Sequence, residues 1–190
     1  MCDPTGPALV LGSAQAPDRV DRAACARAGV DVVRRRSGGG AVLVVPGEVL
    51  WVDLVLPAGD PLWQDDVGRA FHWVGDAWAA ALAELDVGAE VHRGALVRTP
   101  WSSEVCFAGL GPGEVTAGDR KVVGIAQRRT RTSARFQCAA LGSWDPSALV
   151  ALLALEPGGR AAAEADLAGA AAGVGVDLEA LLTALVHHVP

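Results

Sequence analysis

Lysine is almost missing from this chain: of its 16 basic residues one, Lys121, is lysine and the others are arginine. A compact ammonium kept where every other basic position is a planar guanidinium marks a place where the fork does not substitute. Net positive charge is missing as well. At a formal net charge of -6 and a pI of about 5.1, the chain has no broad basic face for neutralising phosphates, which excludes nucleic acid as a partner but leaves room for a protein partner met through local charge. The four cysteines, Cys2, Cys25, Cys106 and Cys138, form no CxxC pair and share no His spacing that builds a zinc site. No metal centre is expected, and the thiols read as reduced, in a cytoplasmic protein. Uninterrupted apolar runs long enough to span a bilayer are absent, and Met1 to Gln15 lack the basic segment that opens a secretory signal. Neither membrane nor export is expected.

What is present suits one soluble domain. The 190 residues, 51% hydrophobic and 20% charged, are enough to bury a core. Ala8 to Gly12 reads as a strand, followed by a helix that ends at Gly29. Asp31 to Arg34, Ala41 to Val45 and Val49 to Leu56 read as strands. Between Asp65 and Leu85 the residues Val67, Ala70, Phe71, Val74, Trp78, Ala81, Leu82 and Leu85 recur at helical spacing. Strands are expected again at 96–99, 104–108, 115–116, 122–126 and 134–141. Asp145-Pro146 opens a run of short helices, broken near Pro157-Gly158-Gly159 and Gly173 and ending at His187-His188. Strands and helices that do not alternate regularly make an α+β fold. Cys25 and Cys138 are expected to be packed small side chains, and His72 to sit on a rim.

Two segments carry chemistry. Arg34-Arg35-Arg36-Ser37-Gly38-Gly39-Gly40-Ala41 sets guanidinium groups beside positions without side chains, where backbone N–H groups can approach an anion. Gly118-Asp119-Arg120-Lys121-Val122-Val123-Gly124-Ile125-Ala126-Gln127-Arg128-Arg129 places the single lysine just after a tight turn.

Together these segments resemble the lipoate protein ligases of the biotin and lipoate ligase family, over roughly Ala8 to Asp145 and including Val10-Leu11-Gly12-Ser13-Ala14-Gln15. The resemblance implies an α+β fold of mixed and antiparallel sheets with flanking helices, like the class II aminoacyl-tRNA and biotin synthetases. It implies one catalytic domain over 1–190, with a core at 8–145 and a helical tail at 146–190. The family's preceding helix and strand would then be missing. It further implies that Arg35, Ser37, Gly38, Gly39, Gly40 and Ala41, with Gly124 and Ala126, line an acyl-adenylate pocket, that Lys121 holds the activated carboxyl and that Arg128 reaches a nucleotide phosphate. An ammonium aimed at the acyl oxygen would stabilise developing charge, and an eight-carbon chain needs an apolar tunnel.

Ser102-Ser103-Glu104-Val105-Cys106-Phe107, followed by Glu114 and Lys121, also resembles a cysteine-dependent octanoyltransferase branch of the same family, in which the cysteine takes the acyl group as a thioester. Glu48 points the same way, Gly40 points to the ligases, and Val44-Val45 replaces the family's His-Asp. Three readings follow. The first expected is a ligase, which would attach a lipoyl or octanoyl group to a lysine of a lipoyl-domain protein through an acyl adenylate, using lipoate or octanoate with ATP and Mg2+, without a tightly bound cofactor. A transferase would use Cys106 and draw on acyl carrier protein, needing no ATP. A non-catalytic ligand- or lipoyl-domain-binding module would acylate nothing. The acceptor implied is a lipoyl-domain protein or a glycine cleavage H-type protein.

Overall fold

The computed structural model describes residues 4–190, so Cys2 lies outside the described residues. Its elements are β1 (Ala8–Leu11), α1 (Arg22–Ala28), β2 (Asp31–Arg34), β3 (Val42–Val44), β4 (Val49–Pro57), α2 (His72–Glu84), β5 (Glu90–Val91), β6 (Val115–Ala117), β7 (Arg120–Arg129), β8 (Ser133–Leu141), α3 (Pro146–Val150), α4 (Pro157–Leu167) and α5 (Leu178–His188). They build a small sheet in the order β2-β1-β3 and an antiparallel sheet in the order β4-β8-β7-β6-β5. β1 runs parallel to β2 and antiparallel to β3.

Local chemistry sets the helix ends. Asp21 caps α1 by accepting from the Ala24 N–H at 2.8 Å, and Gly29 closes it in the left-handed region at φ 65°. The Asp21 carboxyl is held below its ordinary range by that backbone hydrogen bond. Asp177 caps α5 through the Glu179 and Ala180 N–H groups, and at the far end His187 and His188 meet Glu84 of α2.

Burial divides into three clusters. One face of the large sheet packs on α2 and α5 through Trp78, Val74, Leu82, Phe136, Cys138, Leu181 and Leu185. The small sheet packs on α1, α3 and α4 through Leu9, Leu11, Leu149, Leu153 and Leu167. A third cluster joins the sheets through Val42, Val44, Val49, Trp51, Phe107, Ala139 and Leu141. The C-terminal helices therefore complete two of the cores rather than trailing from them. Among the described residues no helix is long and apolar enough to cross a membrane.

Three sequence expectations need correction. The segment 104–108 is not a strand: Val105 makes one parallel bridge to Ala41, and Cys106–Ala108 then turn as a 3-10 helix. Residues 96–99 contribute a single bridge, Val97 to Leu110. Helix α2 starts at His72 after a 3-10 turn at Arg69–Phe71, which leaves Val67 exposed instead of on the apolar face. The helical run is interrupted between Val150 and Pro157, as expected, and Pro157-Gly158-Gly159 forms the first turn of α4, because proline at the start of a helix loses no hydrogen bond.

Candidate functional site

The loop between β2 and β3 is held from below. Arg35, buried at the end of β2, donates to the Val10 carbonyl at 3.0 Å, to Gly38 at 2.7 and 3.2 Å and to Gly40 at 2.8 Å. Ser37 Oγ donates to Gln137 Oε1 on β8 at 2.8 Å, and Gln137 Nε2 donates to Asp53 on β4 at 3.2 Å. Glycine is required twice for space. A Cβ at Gly40 would stand 2.5 Å from the Val105 carbonyl carbon, and one at Gly12 would collide with the Gly39 carbonyl. Among the described residues the N–H groups of Gly38, Gly39 and Gly40 have no hydrogen-bond partner, so they remain open to an anion or oxyanion.

Lys121 reaches the same space through an irregularity in β7. Val123 pairs with Val115 and Lys121 with Thr116, so Val122 is an extra residue opposite the β6 ladder. In a regular strand residues 121 and 124 face opposite sides. Here they share one: a Cβ at Gly124 would lie 3.2 Å from Lys121 Cε and 3.4 Å from Phe107 Cζ. The ammonium, 3% exposed, donates to the carbonyls of Cys106 (2.9 Å) and Gly109 (3.1 Å) and pairs with Glu114 Oε2 at 2.7 Å. Its three protons are thereby used. Glu114 is buried and accepts further from Gly111 N at 2.6 Å and Ile125 N at 3.1 Å, so one carboxylate ties the 109–114 loop, β7 and the lysine together.

A cavity of about 720 Å³ opens between these parts. Gly38, Gly39, Gly40, Cys106, Glu114 and Lys121 line its polar side, and Phe71, Leu96, Pro112, Ile125 and Ala126 its apolar side. The Cys106 thiol is free, half-buried and 3.8 Å from where a Cβ of Gly39 would be. Cys25 and Cys138 are buried away from the cavity, and burial pushes both thiols up, Cys138 to about 12.

Lys121, Cys106, the three glycines and Ala126 thus meet around one cavity. Arg35, Ser37, Ala41 and Gly124, expected to line the pocket, stand behind it. Arg35 spends its donors on the Val10, Gly38 and Gly40 carbonyls, Ser37 on Gln137, and Ala41 its backbone on Glu104 and Cys106, while Gly124 leaves room for the lysine stem. Arg128 is one pleat past Ala126, opposite Arg135, and does not line the cavity. Sequence reasoning missed three supports. Gln15 ties Gly12 N–H to the Ser103 and Glu104 carbonyls, Glu104 pairs with Arg19, and Gln137 carries the loop serine. Glu114 was legible only as a neighbour of Lys121, although a buried ammonium calls for a carboxylate partner.

Val44 packs in the core between the sheets, and among the described residues no three His, Cys, Asp or Glu side chains converge.

This fold is that of a lipoate protein ligase A catalytic domain. The chain matches a bipartite lipoate protein ligase from Thermoplasma acidophilum, solved in a study with its E2 lipoyl domain, at a TM-score of 0.77 and 20% identity, covering 96% of this chain and 66% of that one. It matches a lipoate-protein ligase A bound with ATP at a TM-score of 0.71 and 21% identity, covering 96% and 67%. The sequence matches the lipoyl protein ligase A/B catalytic domain over residues 4–174, and the chain belongs to that family of enzymes. The octanoyltransferase LipM of Carboxydothermus hydrogenoformans is 33% identical over 126 residues, which are 66% of this chain and 45% of that protein. The chain therefore spans less than half of that relative in the match, and about two thirds of the ligases.

Proposed function

We propose that residues 1–190 form one acyltransferase catalytic domain, with 8–145 supplying the site, that moves an octanoyl-type group from a carrier thioester through Cys106 to a lysine of a lipoyl-domain protein. The observation that carries this reading is Cys106 itself: among the described residues it is the one thiol on the cavity wall, beside the open N–H groups of the glycine loop. The octanoyltransferase relative supports it.

The chemistry balances without ATP. The Cys106 thiolate attacks the acyl carbonyl carbon, and the oxyanion sits against the glycine-loop N–H groups, a type of contact commonly worth about 3 kcal/mol. Collapse expels the carrier sulfur, which takes a proton from solvent and leaves the acyl group on Cys106. The neutral amine of the acceptor lysine then attacks this thioester. An amide forms, Cys106 leaves as thiolate and the amine's proton passes to solvent. The first exchange trades one thioester for another, and the second runs downhill to the amide. Lys121 and Glu114 fix the Cys106 turn throughout, and the apolar wall takes the chain at roughly 0.8 kcal/mol per CH₂. Acyl carrier protein fits as donor, and a lipoyl-domain or glycine cleavage H-type protein as acceptor.

The test mixes the protein with an apo lipoyl domain and either octanoyl carrier protein or lipoate with MgATP, read by intact mass. Acylation from the carrier that vanishes in Cys106→Ala is expected. Acylation that survives in Cys106→Ala, or that requires MgATP, would identify a ligase instead.

A further inference from the structure

Two buried cations stand at the site, Lys121 on the cavity wall and Arg35 behind it, and only Lys121 is neutralised by a carboxylate. Lys121 is 2.7 Å from Glu114, and both are buried, so the pair presents a near-neutral dipole to its surroundings. Arg35 is 7% exposed and meets carbonyl oxygens alone; among the described residues no carboxylate lies within ion-pairing distance of it. A buried guanidinium with no counter-anion is costly unless an anion arrives. The point where a Cβ of Gly39 would stand is 2.9 Å from Arg35 Nη2 and 3.8 Å from Cys106 Sγ. The guanidinium and the sulfur therefore flank Gly39, no further apart than those two lengths together. Gly39 keeps that gap clear, and its φ of 94° suits glycine.

Resting on the acyltransferase reading, we propose that Arg35, and not Lys121, is the charge partner of the Cys106 thiolate, acting across the side-chain-free gap at Gly39. Arg35 is then a positioning residue that works through Cys106, while the same guanidinium holds the glycine loop that receives the oxyanion. The other charged groups on the cavity wall with Cys106 are Lys121 of β7 and Glu114 of the preceding loop, which pair, Glu104 and Arg19, which pair, and Arg98. Burial pulls Arg35 below its ordinary value, and the charges of Cys106 and, after it, Glu114 oppose that pull.

The test is alkylation of Cys106 in the full chain, followed by peptide mass spectrometry. With iodoacetamide at pH 7, Arg35→Gln is expected to react about tenfold more slowly than wild type and Arg35→Lys to recover most of the rate. At a pH where thiols are fully ionised, the rate in Arg35→Gln should rejoin that of wild type, which a change in access would not allow. If the arginine variants do not fold, wild type alone decides: anionic iodoacetate, relative to iodoacetamide, should react faster with Cys106 than with glutathione. A pH 7 rate unmoved in folded Arg35→Gln, or a reagent ratio no higher than that of glutathione, overturns the pairing. Neither result touches the thioester step, which fails separately if no acyl group appears on Cys106.

Discussion

Replacing Glu114 by glutamine tests the buried lock around the lysine. The carboxylate accepts from three donors: the Ile125 N–H, the Gly111 N–H and the Lys121 ammonium. In Glu114→Gln the retained oxygen can still serve Ile125, but the amide nitrogen points donors at Gly111 and Lys121, and the ammonium is left buried against two carbonyls. Removing one member of a buried ion pair costs about 3–5 kcal/mol, and for a chain of this size that corresponds to roughly 6–20 °C in Tm. Guanidinium unfolding followed by the fluorescence of the six tryptophans would show a lower midpoint at an unchanged slope. Adding Lys121→Met removes the stranded charge, so the double variant should regain at least half of the loss. A single variant within about 1 kcal/mol of wild type, or a double variant as poor as the two single losses combined, would show that the pair does not hold the site together.

The thiol Cys138 should make the protein sensitive to alkali. Its folded value is pushed up to about 12 by burial from an ordinary 9.0, so its stabilising contribution is full below pH 9 and is lost as pH rises toward 12, by roughly 4 kcal/mol at most. No tyrosine competes in that range, and Cys138→Ala should flatten the decline in denaturant midpoints measured from pH 8 to 11. In the native protein at pH 8, iodoacetamide should label Cys106 and spare Cys25 and Cys138; equal labelling would contradict their burial. Gly40→Ala would press a methyl group into the Val105–Cys106 backbone, lowering stability by about 1–3 kcal/mol and acyl transfer by a larger factor than any effect on bulk fold, as compared by circular dichroism and intact mass. Ser37→Ala leaves the Gln137 oxygen without its donor and should cost about 1–2 kcal/mol in thermal unfolding.

Much of the fold was legible because burial in strands and at helix ends writes itself locally. Val49 to Leu56, Ala134 to Leu141 and the Asp145-Pro146 helix start are found within a residue or so. The misreading of 104–108 has a physical cause. Val105-Cys106-Phe107-Ala108 is as apolar as a strand, yet with Val105, Phe107 and Ala108 buried and Cys106 on the cavity wall it folds as a turn, and composition alone does not distinguish the two. Within the site, the residue types around the cavity were readable from the Gly38–Gly40 and Lys121 segments. Their division of labour was not, because whether Arg35 faces a ligand or a carbonyl is decided by residues from β1 and the loop. The Arg128 misplacement has the same origin, since one pleat separates a cavity wall from a strand end.

The extra residue at Val122 has a consequence for how such chains are compared. The interval of three positions from the ammonium to Gly124 is the written trace of a kink in a pleated ribbon, and it fixes count more tightly than chemical type. Deleting a single position there would swing the lysine toward the apolar face packed on Trp78, away from Glu114 and the Cys106 and Gly109 carbonyls, so length in this short stretch matters to the site as much as any named side chain.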